Sequence, residues 1–386
     1  MRRLLLVLVA ATGLSACSSM PSLNPMDWFG SSPTGPKPAE LPVLTNAQTV
    51  RVLWTGSIGA AEAFVFSPTL SGDSVYAASR GGTVTRLDAA SGQARWRISL
   101  GKRISGGVGS DGALVVVASD DGEVFALDAR DGQVKWRARV SSEVLAAPRL
   151  GEGLVLVRSA DSRIFAFGAE DGKRRWVYQR AAASLIVRSP VGLTIHAGLA
   201  YAGFSGGRLV AIALSNGAAR WEATVALPKG ATELERVTDI VGNPAAQGRE
   251  VCAAAYQGRV ACYDALNGNQ LWARDMSTLT GVSFDARYAF ISDDKGAVHA
   301  LDRSNGRSVW KQDRLAHRQL SLPLPLGTEV ALGDLQGQIH FLARESGAFL
   351  ARFATDGSAV RAAPVKLPDG FLVQTQNGGL YALTLN

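Results

Sequence analysis

The sequence predicts an all-β chain folded as an eight-bladed β-propeller of four-stranded antiparallel blades. Three observations support this fold: the composition, a frame of residues that recurs along the chain, and one extra tryptophan ahead of the repeats. Of the 386 residues, 42 are glycine and 8 are tryptophan, and only 19% are charged. Glycine is more frequent and charge scarcer than in an average soluble domain. This balance favours many short strands joined by tight turns, and it argues against a disordered chain.

The recurring frame reads G-x5-D-x3-G-x3-W and returns about every 40 residues. Complete copies are Gly82–Trp96 (GTVTRLDAASGQARW) and Gly122–Trp136 (GEVFALDARDGQVKW), and five further copies keep the spacing. The last of these five ends on Ala351 in place of tryptophan. Short segments at this period are typical of propeller blades rather than of a β-sandwich.

Each position of the frame has a physical role. The first glycine joins two alternating segments into a hairpin. The aspartate accepts hydrogen bonds from backbone N–H groups that follow it, and the second glycine supplies a positive φ. The tryptophan lies on an outer strand, where its ring seals neighbouring blades. We therefore assign a structural role to the tryptophans of the folded region: Trp54, Trp96, Trp136, Trp176, Trp221, Trp272 and Trp310.

The two ends of the repeat region predict how the ring closes. An eighth copy starts at Gly378 and reaches the C-terminus without an outer strand, whereas the segment Val50–Trp54 resembles an outer strand that nothing precedes. The N-terminal strand is therefore expected to complete the last blade. Such closure leaves no free sheet edge at the seam.

The N-terminus has the features of a secretory signal. Arg2 and Arg3 precede the apolar run Leu4–Ala11, which is too short to span a bilayer. The tetrapeptide Leu14–Cys17 (LSAC) resembles the bacterial lipobox, in which the cysteine becomes the acylated first residue of the mature protein. This resemblance implies a signal peptide over 1–16 and lipid (palmitate) attachment at Cys17. Ser18 after the cysteine favours the outer membrane.

Residues 17–46 are rich in proline and serine and lack any strand or helix period, so we expect a flexible tether there. Trp28 lies in this tether, and its role is unexplained. The propeller is expected to occupy 47–386.

Motifs that carry chemistry are weak. The G-x-S-x-G string at Gly203–Gly207 falls on an expected hairpin turn, whereas a nucleophile elbow needs a strand followed by a helix. The four histidines form no metal-spaced pair, and we predict no catalytic residue, no metal and no cofactor. Cys252 and Cys262 flank a turn symmetrically, which suits either a disulfide or two buried thiols.

Basic residues flank most of the frame tryptophans, as Arg95 and Lys135 do. A nucleic-acid reader would interleave basic and aromatic residues in a similar way. Charged residues on an outer strand also keep blade edges from pairing with other chains. We favour edge protection, so no nucleic acid is expected as a partner.

The frame A-L-D-A-x-x-G-x-x-x-W resembles the tryptophan-docking repeat of pyrroloquinoline quinone enzymes. That resemblance implies a quinoprotein dehydrogenase as one hypothesis, and a ligand-sensing propeller lipoprotein is another. The enzymes hold their cofactor over a vicinal cysteine pair, and this sequence has no adjacent cysteines. A non-enzymatic protein is therefore favoured.

Lipobox, tether and eight such blades together resemble the BamB family, non-enzymatic lipoprotein scaffolds of the machinery that assembles outer-membrane β-barrel proteins. The stretches 184–188 (SLIVR), 231–239 (ATELERVTD) and 315–318 (LAHR) match family segments. The resemblance implies an outer-membrane lipoprotein that faces the periplasm and aids folding and insertion of outer-membrane proteins. Its expected partners are the periplasmic POTRA domains of the barrel-forming subunit BamA, other lipoproteins of the complex, and unfolded outer-membrane proteins.

The resemblance also implies which residues contact BamA. The family contacts correspond here to Leu185, Val187, Arg188 and Asp239, with Glu233 and Arg236 in the same second stretch; the family's second acid is replaced by Val241. Independently of the resemblance, the two longest intervals between frame tryptophans are consecutive, from Trp176 to Trp221 and from Trp221 to Trp272. Their extra residues lie in connections that emerge on one face of the ring, where repeat proteins often bind partners.

Overall fold

The computed structural model describes residues 36–181 and 185–386. In this part of the chain, 32 strands form eight four-stranded sheets, each antiparallel throughout. The described residues contain no helix long and apolar enough to cross a membrane. The predicted eight-bladed β-propeller is confirmed.

The strands follow one another blade by blade. Strand β1 (Val50–Ser57) comes first; blade I follows with β2 (Thr69–Ser71), β3 (Ser74–Ala78), β4 (Thr83–Asp88) and β5 (Ala94–Ser99). Blade II consists of β6 (Ile104–Ser110), β7 (Leu114–Ser119), β8 (Glu123–Asp128) and β9 (Val134–Arg139), and blade III of β10 (Arg149–Gly151), β11 (Leu154–Arg158), β12 (Arg163–Gly168) and β13 (Arg174–Gln179). Blade IV consists of β14 (Leu193–His196), β15 (Leu199–Phe204), β16 (Arg208–Ala213) and β17 (Ala219–Thr224). Blade V consists of β18 (Ile240–Gln247), β19 (Glu250–Ala255), β20 (Arg259–Asp264) and β21 (Gln270–Asp275), and blade VI of β22 (Ser283–Phe284), β23 (Tyr288–Ser292), β24 (Val298–Asp302) and β25 (Ser308–Gln312). Blade VII consists of β26 (Leu324–Leu326), β27 (Glu329–Gly333), β28 (Gln338–Ala343) and β29 (Phe349–Ala354). Blade VIII contains β30 (Val365–Leu367), β31 (Gly370–Gln374) and β32 (Gly379–Leu385).

The ring closes as the sequence predicts. Strand β1 pairs antiparallel with β32, from Val50 opposite Leu385 to Ser57 opposite Gly379, with one irregularity in register. Blade VIII therefore takes its outer strand from the N-terminal end of the propeller, in the order β1-β32-β31-β30. The first strands of most neighbouring blades contact one another, as β2 does with β6 and β30, and so surround the axis.

Docked tryptophans join the blades. Each frame tryptophan donates a hydrogen bond from Nε1 to a backbone carbonyl in the next blade's turn between its third and fourth strands. The donors and acceptors are Trp54 to Ala89, Trp96 to Ala129, Trp136 to Ala169, Trp176 to Leu214, Trp221 to Ala265, Trp272 to Arg303 and Trp310 to Arg344.

Both backbone conformation and packing require glycine in that turn. At Gly172 the backbone has φ +64°, and a Cβ would lie 2.6 Å from Cδ2 of Trp136. The turn aspartates act as predicted: Oδ1 of Asp128 accepts a hydrogen bond from the N–H of Arg130 at 2.9 Å. Local turn chemistry and blade packing therefore select the same frame.

The blades expose two different faces. The hairpin turns between second and third strands lie on the same face as the connections that leave each outer strand, since the N–H groups of Leu100 and Val225 bond the carbonyl oxygens of Gly82 and Gly207. We call this the loop face. The turns that receive the tryptophans lie on the opposite face.

The segment before β1 packs on the propeller from Pro38 onward. The N–H of Ala39 bonds the Ala316 carbonyl at 2.9 Å, and the buried Arg318 donates to the Ala39 carbonyl at 2.9 Å. Arg352 holds the carbonyl of Pro42 at 3.1 Å. The tether predicted over 17–46 therefore differs from the structure at its C-terminal end. The signal peptide, Cys17 and Trp28 lie outside the described residues.

A disulfide joins Cys252 and Cys262 on the paired strands β19 and β20. Both residues are fully buried. Of the two alternatives that the sequence left open, the structure contains the bridge.

Candidate partner-binding surface

The two long connections predicted to carry the binding residues both emerge on the loop face. Residues 180–192 link β13 to β14, and residues 225–239 link β17 to β18. They lie beside each other, because the N–H of Val187 in the first connection donates a hydrogen bond to the carboxylate of Asp239 in the second at 2.6 Å. The sequence-predicted positions are therefore brought together.

Several large apolar side chains on these connections are exposed. Leu185 and Ile186 are 46% and 43% exposed, and Leu227 and Leu234 are 61% and 69% exposed. We call these four residues, together with the exposed Arg188, Glu233 and Arg236, the partner surface. Exposed apolar patches are a common feature of protein–protein contact sites.

The side chain of Arg188 in this surface is fixed by contacts with two other residues. Its guanidinium group donates to both carboxylate oxygens of Glu143 at 2.9 Å and is still 58% exposed. The same group lies 5.4 Å above the ring of Phe64, which belongs to the connection between β1 and β2. Two contacts orient the side chain before any partner arrives, which lowers the entropy cost of binding.

Asp239 has a different role from the exposed contact that the family resemblance implied. Only 6% of the residue is exposed. Its carboxylate accepts hydrogen bonds from the N–H of Val187 at 2.6 Å and from the N–H of Gly206 at 3.3 Å. Asp239 therefore ties the first connection to the second, and its hydrogen bond to Val187 holds the stretch from Leu185 to Arg188 in place.

Burial raises the pKa of the Asp239 carboxyl, and the hydrogen bonds from Val187 and Gly206 and the charge of Arg158 oppose this shift. Burial in turn lowers the pKa of Arg158 to about 10, and the charge of Asp239 opposes that shift. Arg158 also donates to the carbonyl of Gly203 and lies 4.9 Å above the ring of Phe204. Arg158 therefore packs on blade IV beneath the loops through Gly203 and Phe204, and its charge and that of Asp239 favour each other.

A cavity of about 220 Å³ lies under the first connection, between blades III and IV. Its lining combines apolar side chains, among them Leu145, Val187 and Phe204, with Arg158 and Asp239. The first connection therefore lies over this cavity, and the hydrogen bond from Val187 to Asp239 restrains it there.

The second connection shows which of its predicted residues are accessible. Glu233 and Arg236 are exposed. Between them, the Glu235 carboxylate accepts hydrogen bonds from the N–H groups of Ala231 and Thr232, and these lower its pKa. Val241, at the family's second acidic position, is 1% exposed and lies in the core. Of the two acidic positions that the family resemblance implied, one therefore holds a buried valine and the other, Asp239, is buried as well.

Residues elsewhere that resemble catalytic groups have structural partners. His299 and His340 each bond, at 2.9 Å, the aspartate six residues before them in the preceding hairpin turn, Asp293 and Asp334. In the described part of the chain, the single cluster with metal-ligating side chains is Glu250 with the two disulfide cysteines. The G-x-S-x-G string lies on the turn between β15 and β16.

Sequence reasoning missed the supports of the partner surface. Phe64, Glu143 and Arg158 come from three different connections or strands, and no motif marks them. Glu143 is an ordinary acid in a short connection, and only the ring geometry places it opposite Arg188.

Eight blades joined by docked tryptophans, with enlarged connections gathered on one face, define a tryptophan-docked β-propeller. The family model described as outer membrane protein assembly factor BamB matches residues 42–100 and 80–312. A relative of that name from Bordetella pertussis is 43% identical over 381 residues, covering 98% of this chain and 96% of the relative. The chain belongs to the BamB family of outer membrane protein assembly factors.

Solved structures agree with this assignment. The crystal structure of BamB from Moraxella catarrhalis matches with a TM-score of 0.80 at 26% identity, covering 87% of this chain and 100% of that chain. A europium-containing methanol dehydrogenase matches with a TM-score of 0.68 at 13% identity, covering 87% of this chain and 93% of the enzyme. At that identity the similarity to the dehydrogenase concerns the fold alone.

Proposed function

We propose that this chain is a non-enzymatic scaffold of the outer-membrane β-barrel assembly machinery, and that its partner surface binds the periplasmic POTRA domains of the barrel-forming subunit BamA. The observation that carries the proposal is the partner surface itself: exposed leucine and isoleucine side chains and a pre-oriented arginine lie on two neighbouring connections of the loop face.

The composition of the surface indicates the chemistry of its partner. Leu185, Ile186 and Leu234 offer apolar area, and Arg188 adds a charged group beside it. Interface hot spots are rich in arginine and large apolar groups that a partner desolvates. The matching patch on BamA is therefore apolar with a carboxylate at its edge, and this carboxylate replaces or joins Glu143 at the Arg188 guanidinium.

The attachment to the membrane is part of the same proposal. A signal peptide over 1–16, acylation of Cys17 and a tether as far as Lys37 deliver the propeller to the periplasmic side of the outer membrane. Other lipoproteins of the complex and unfolded outer-membrane proteins are further proposed partners. The absence of adjacent cysteines in the sequence supports a role without a quinone cofactor.

Charge reversal at Arg188 tests the proposal. We expect Arg188→Glu to abolish co-purification of the full-length chain with BamA from detergent-solubilised outer membrane. The matched control is Arg137→Glu on the outer strand of blade II. Arg137 is also 58% exposed, lies 3.6 Å from Glu123 and stacks 5.2 Å above Phe125, but it is remote in sequence from the partner surface.

Both variants should keep the thermal unfolding temperature of the parent within about 2 °C, since surface substitutions change stability little. Unchanged co-purification of Arg188→Glu, or equal loss in Arg137→Glu, would refute the assignment of the surface.

A further inference from the structure

The interface between blades VII and VIII is the one blade interface of the described chain that has no docked tryptophan. At the other interfaces the frame tryptophan docks on the turn between the third and fourth strands of the following blade. The frame position of blade VII holds Ala351, which is fully buried. Blade VIII has no turn between its third and fourth strands, because its outer strand is β1, which precedes blade I in the chain. An indole at position 351 would therefore have no turn to dock on.

The segment of residues 38–49, which we call the strap, lies at this interface. It contacts the outer strand of blade VII, β29, at two points. The N–H of Gln48 donates to the carbonyl of Leu350 at 2.9 Å, and Arg352 donates to the carbonyl of Pro42 at 3.1 Å. The strap then continues directly into β1. It therefore connects the outer strands of the two blades that no tryptophan joins.

The end of the strap next to β1 is fastened to blade VIII as well. The N–H of Asn386, which follows β32, donates to the carbonyl of Thr49 at 3.1 Å. Val50 and Leu350 pack against the buried cluster that contains Ala351. Aliphatic side chains therefore occupy the interface where the other blades place an indole ring.

The beginning of the strap is held by a buried charged group in the connection between blades VI and VII. Arg318 is 2% exposed, and its Nε lies 2.6 Å from the carboxylate of the fully buried Asp334. Its Nη1 donates to the carbonyl of Ala39 at 2.9 Å, and the N–H of Ala39 donates to the carbonyl of Ala316 at 2.9 Å. Leu41 packs against the core shared by blades VI and VII. Because a buried guanidinium needs acceptors for its N–H groups, the strap is an integral part of the folded ring.

The order of the chain gives these contacts a mechanical consequence. Strand β1 pairs with β32 from Val50 onward, and no turn ties it to its own blade. A pull on the chain ahead of a bare β1 would peel its hydrogen bonds from β32 one after another. In this structure the strap lies between the tether and Val50, so a pull reaches β1 only after the contacts of residues 39–48 have broken.

We propose that the strap takes the place of tryptophan docking between blades VII and VIII and keeps tension in the tether from reaching the closing strand β1. The source of that tension rests on the membrane attachment proposed above. The hold of the strap on the ring does not, and it is tested on the isolated chain, so failure of either test leaves the proposed function untouched.

Hydrogen exchange of the full-length chain in a nonionic detergent tests the hold of the strap on the ring. Leu41→Asp disrupts the packing of the strap without altering any residue of the blades. We expect exchange at 50–57 and 380–385 to become at least about tenfold faster, while exchange in the strands of blades II to IV stays the same. The matched control is Val43→Asp in the same strap, because the Val43 side chain is 88% exposed, and this variant should exchange like the parent.

Gln48→Pro, which removes the N–H that bonds Leu350, is a second strap variant and serves as the test if Leu41→Asp does not fold. Faster exchange at 38–49 with parent-like exchange at 50–57 would show that the strap only lies on the ring, and this result overturns the proposal. Equal acceleration at 50–57 in Val43→Asp overturns it too.

Unfolding under force tests the protection of β1. The chain is pulled in optical tweezers through handles at Cys17 and Asn386. We expect the parent to release the strap before β1 detaches, in a step of about 40 Å of contour length, since its residues span at most about 3.5 Å each. Leu41→Asp should lose this step and release β1 at a lower force, whereas Val43→Asp should behave like the parent. Detachment of β1 at the same force in the parent and in Leu41→Asp would refute the protective role.

Discussion

The hydrogen bonds of Asp239 lead to a prediction about how the partner surface is held in shape. Asp239→Ala removes the acceptor of the Val187 N–H at 2.6 Å and of the Gly206 N–H at 3.3 Å, and it removes the charge that faces Arg158. The substitution leaves the exposed side chains of the partner surface unchanged. Any loss of binding must therefore arise from loss of loop order.

The expected size follows from the geometry. A hydrogen bond to a charged group contributes about 1.5–3 kcal/mol, and the short bond from Val187 accounts for most of the loss. A loss of about 2 kcal/mol lowers the ratio of docked to undocked loop about 30-fold. If only the docked loop binds, the apparent affinity for BamA falls by up to the same factor. Asp239→Asn keeps an acceptor oxygen without the charge and should fall between the parent and the alanine variant.

Two measurements together test this reasoning. Hydrogen exchange at 185–191 should become faster in Asp239→Ala while exchange in the strands of blades VII and VIII stays the same. Affinity for the isolated POTRA domains should be highest in the parent chain, lower in Asp239→Asn and lowest in Asp239→Ala. Parent-like exchange at 185–191 in the alanine variant would show that the carboxylate does not hold the loop. Faster exchange with parent affinity would show that the loop is not part of the interface.

Two further predictions concern the ring. Gly172→Ala places a Cβ on a backbone with φ +64°, 2.6 Å from Cδ2 of Trp136, and should lower the unfolding temperature. The control is Gly153→Ala, where φ is +75° but no atom lies within 4 Å of the added Cβ, and its unfolding temperature should fall less. Equal decreases in the two variants would mean that docking of the tryptophan imposes no steric limit. Burial lowers the pKa of His340 below its ordinary 6.5, so below pH 6.5 the unfolded chain binds a proton that the folded chain does not, and stability falls as pH falls. The unfolding temperature measured from pH 7 to pH 5 should therefore decrease less in His340→Gln, and parallel curves would contradict this origin.

A fold similar to that of a dehydrogenase is compatible with the proposed scaffold role. Docking of Trp136 on Gly172 and the turn carbonyl of Ala169 is a solution to blade packing, and it requires no cofactor. Function then depends on what the connections carry. In this chain the enlarged connections carry exposed apolar groups and Arg188.

Much of the fold was predictable because each blade repeats a local frame. Turn glycines, turn aspartates and the tryptophan act within one blade or between consecutive blades, so their spacing is visible in the sequence. The closure of the ring was also predictable, since Val50–Trp54 and the incomplete eighth copy are complementary. The end of the tether was not, because the contact of Ala39 with Arg318 joins residues far apart in sequence that share no pattern.

The sequence by itself determined the eight-bladed ring, its closure and the two long connections that carry the candidate binding residues, because these depend on spacing and local turn chemistry. Only the tertiary structure decided where the side chain of each candidate residue lies. Asp239 and Arg188 are both charged residues of long connections, yet one is buried beneath the loop and the other is exposed above Phe64. Burial and charge pairing depend on neighbours that the ring brings together, and no spacing along one chain records them.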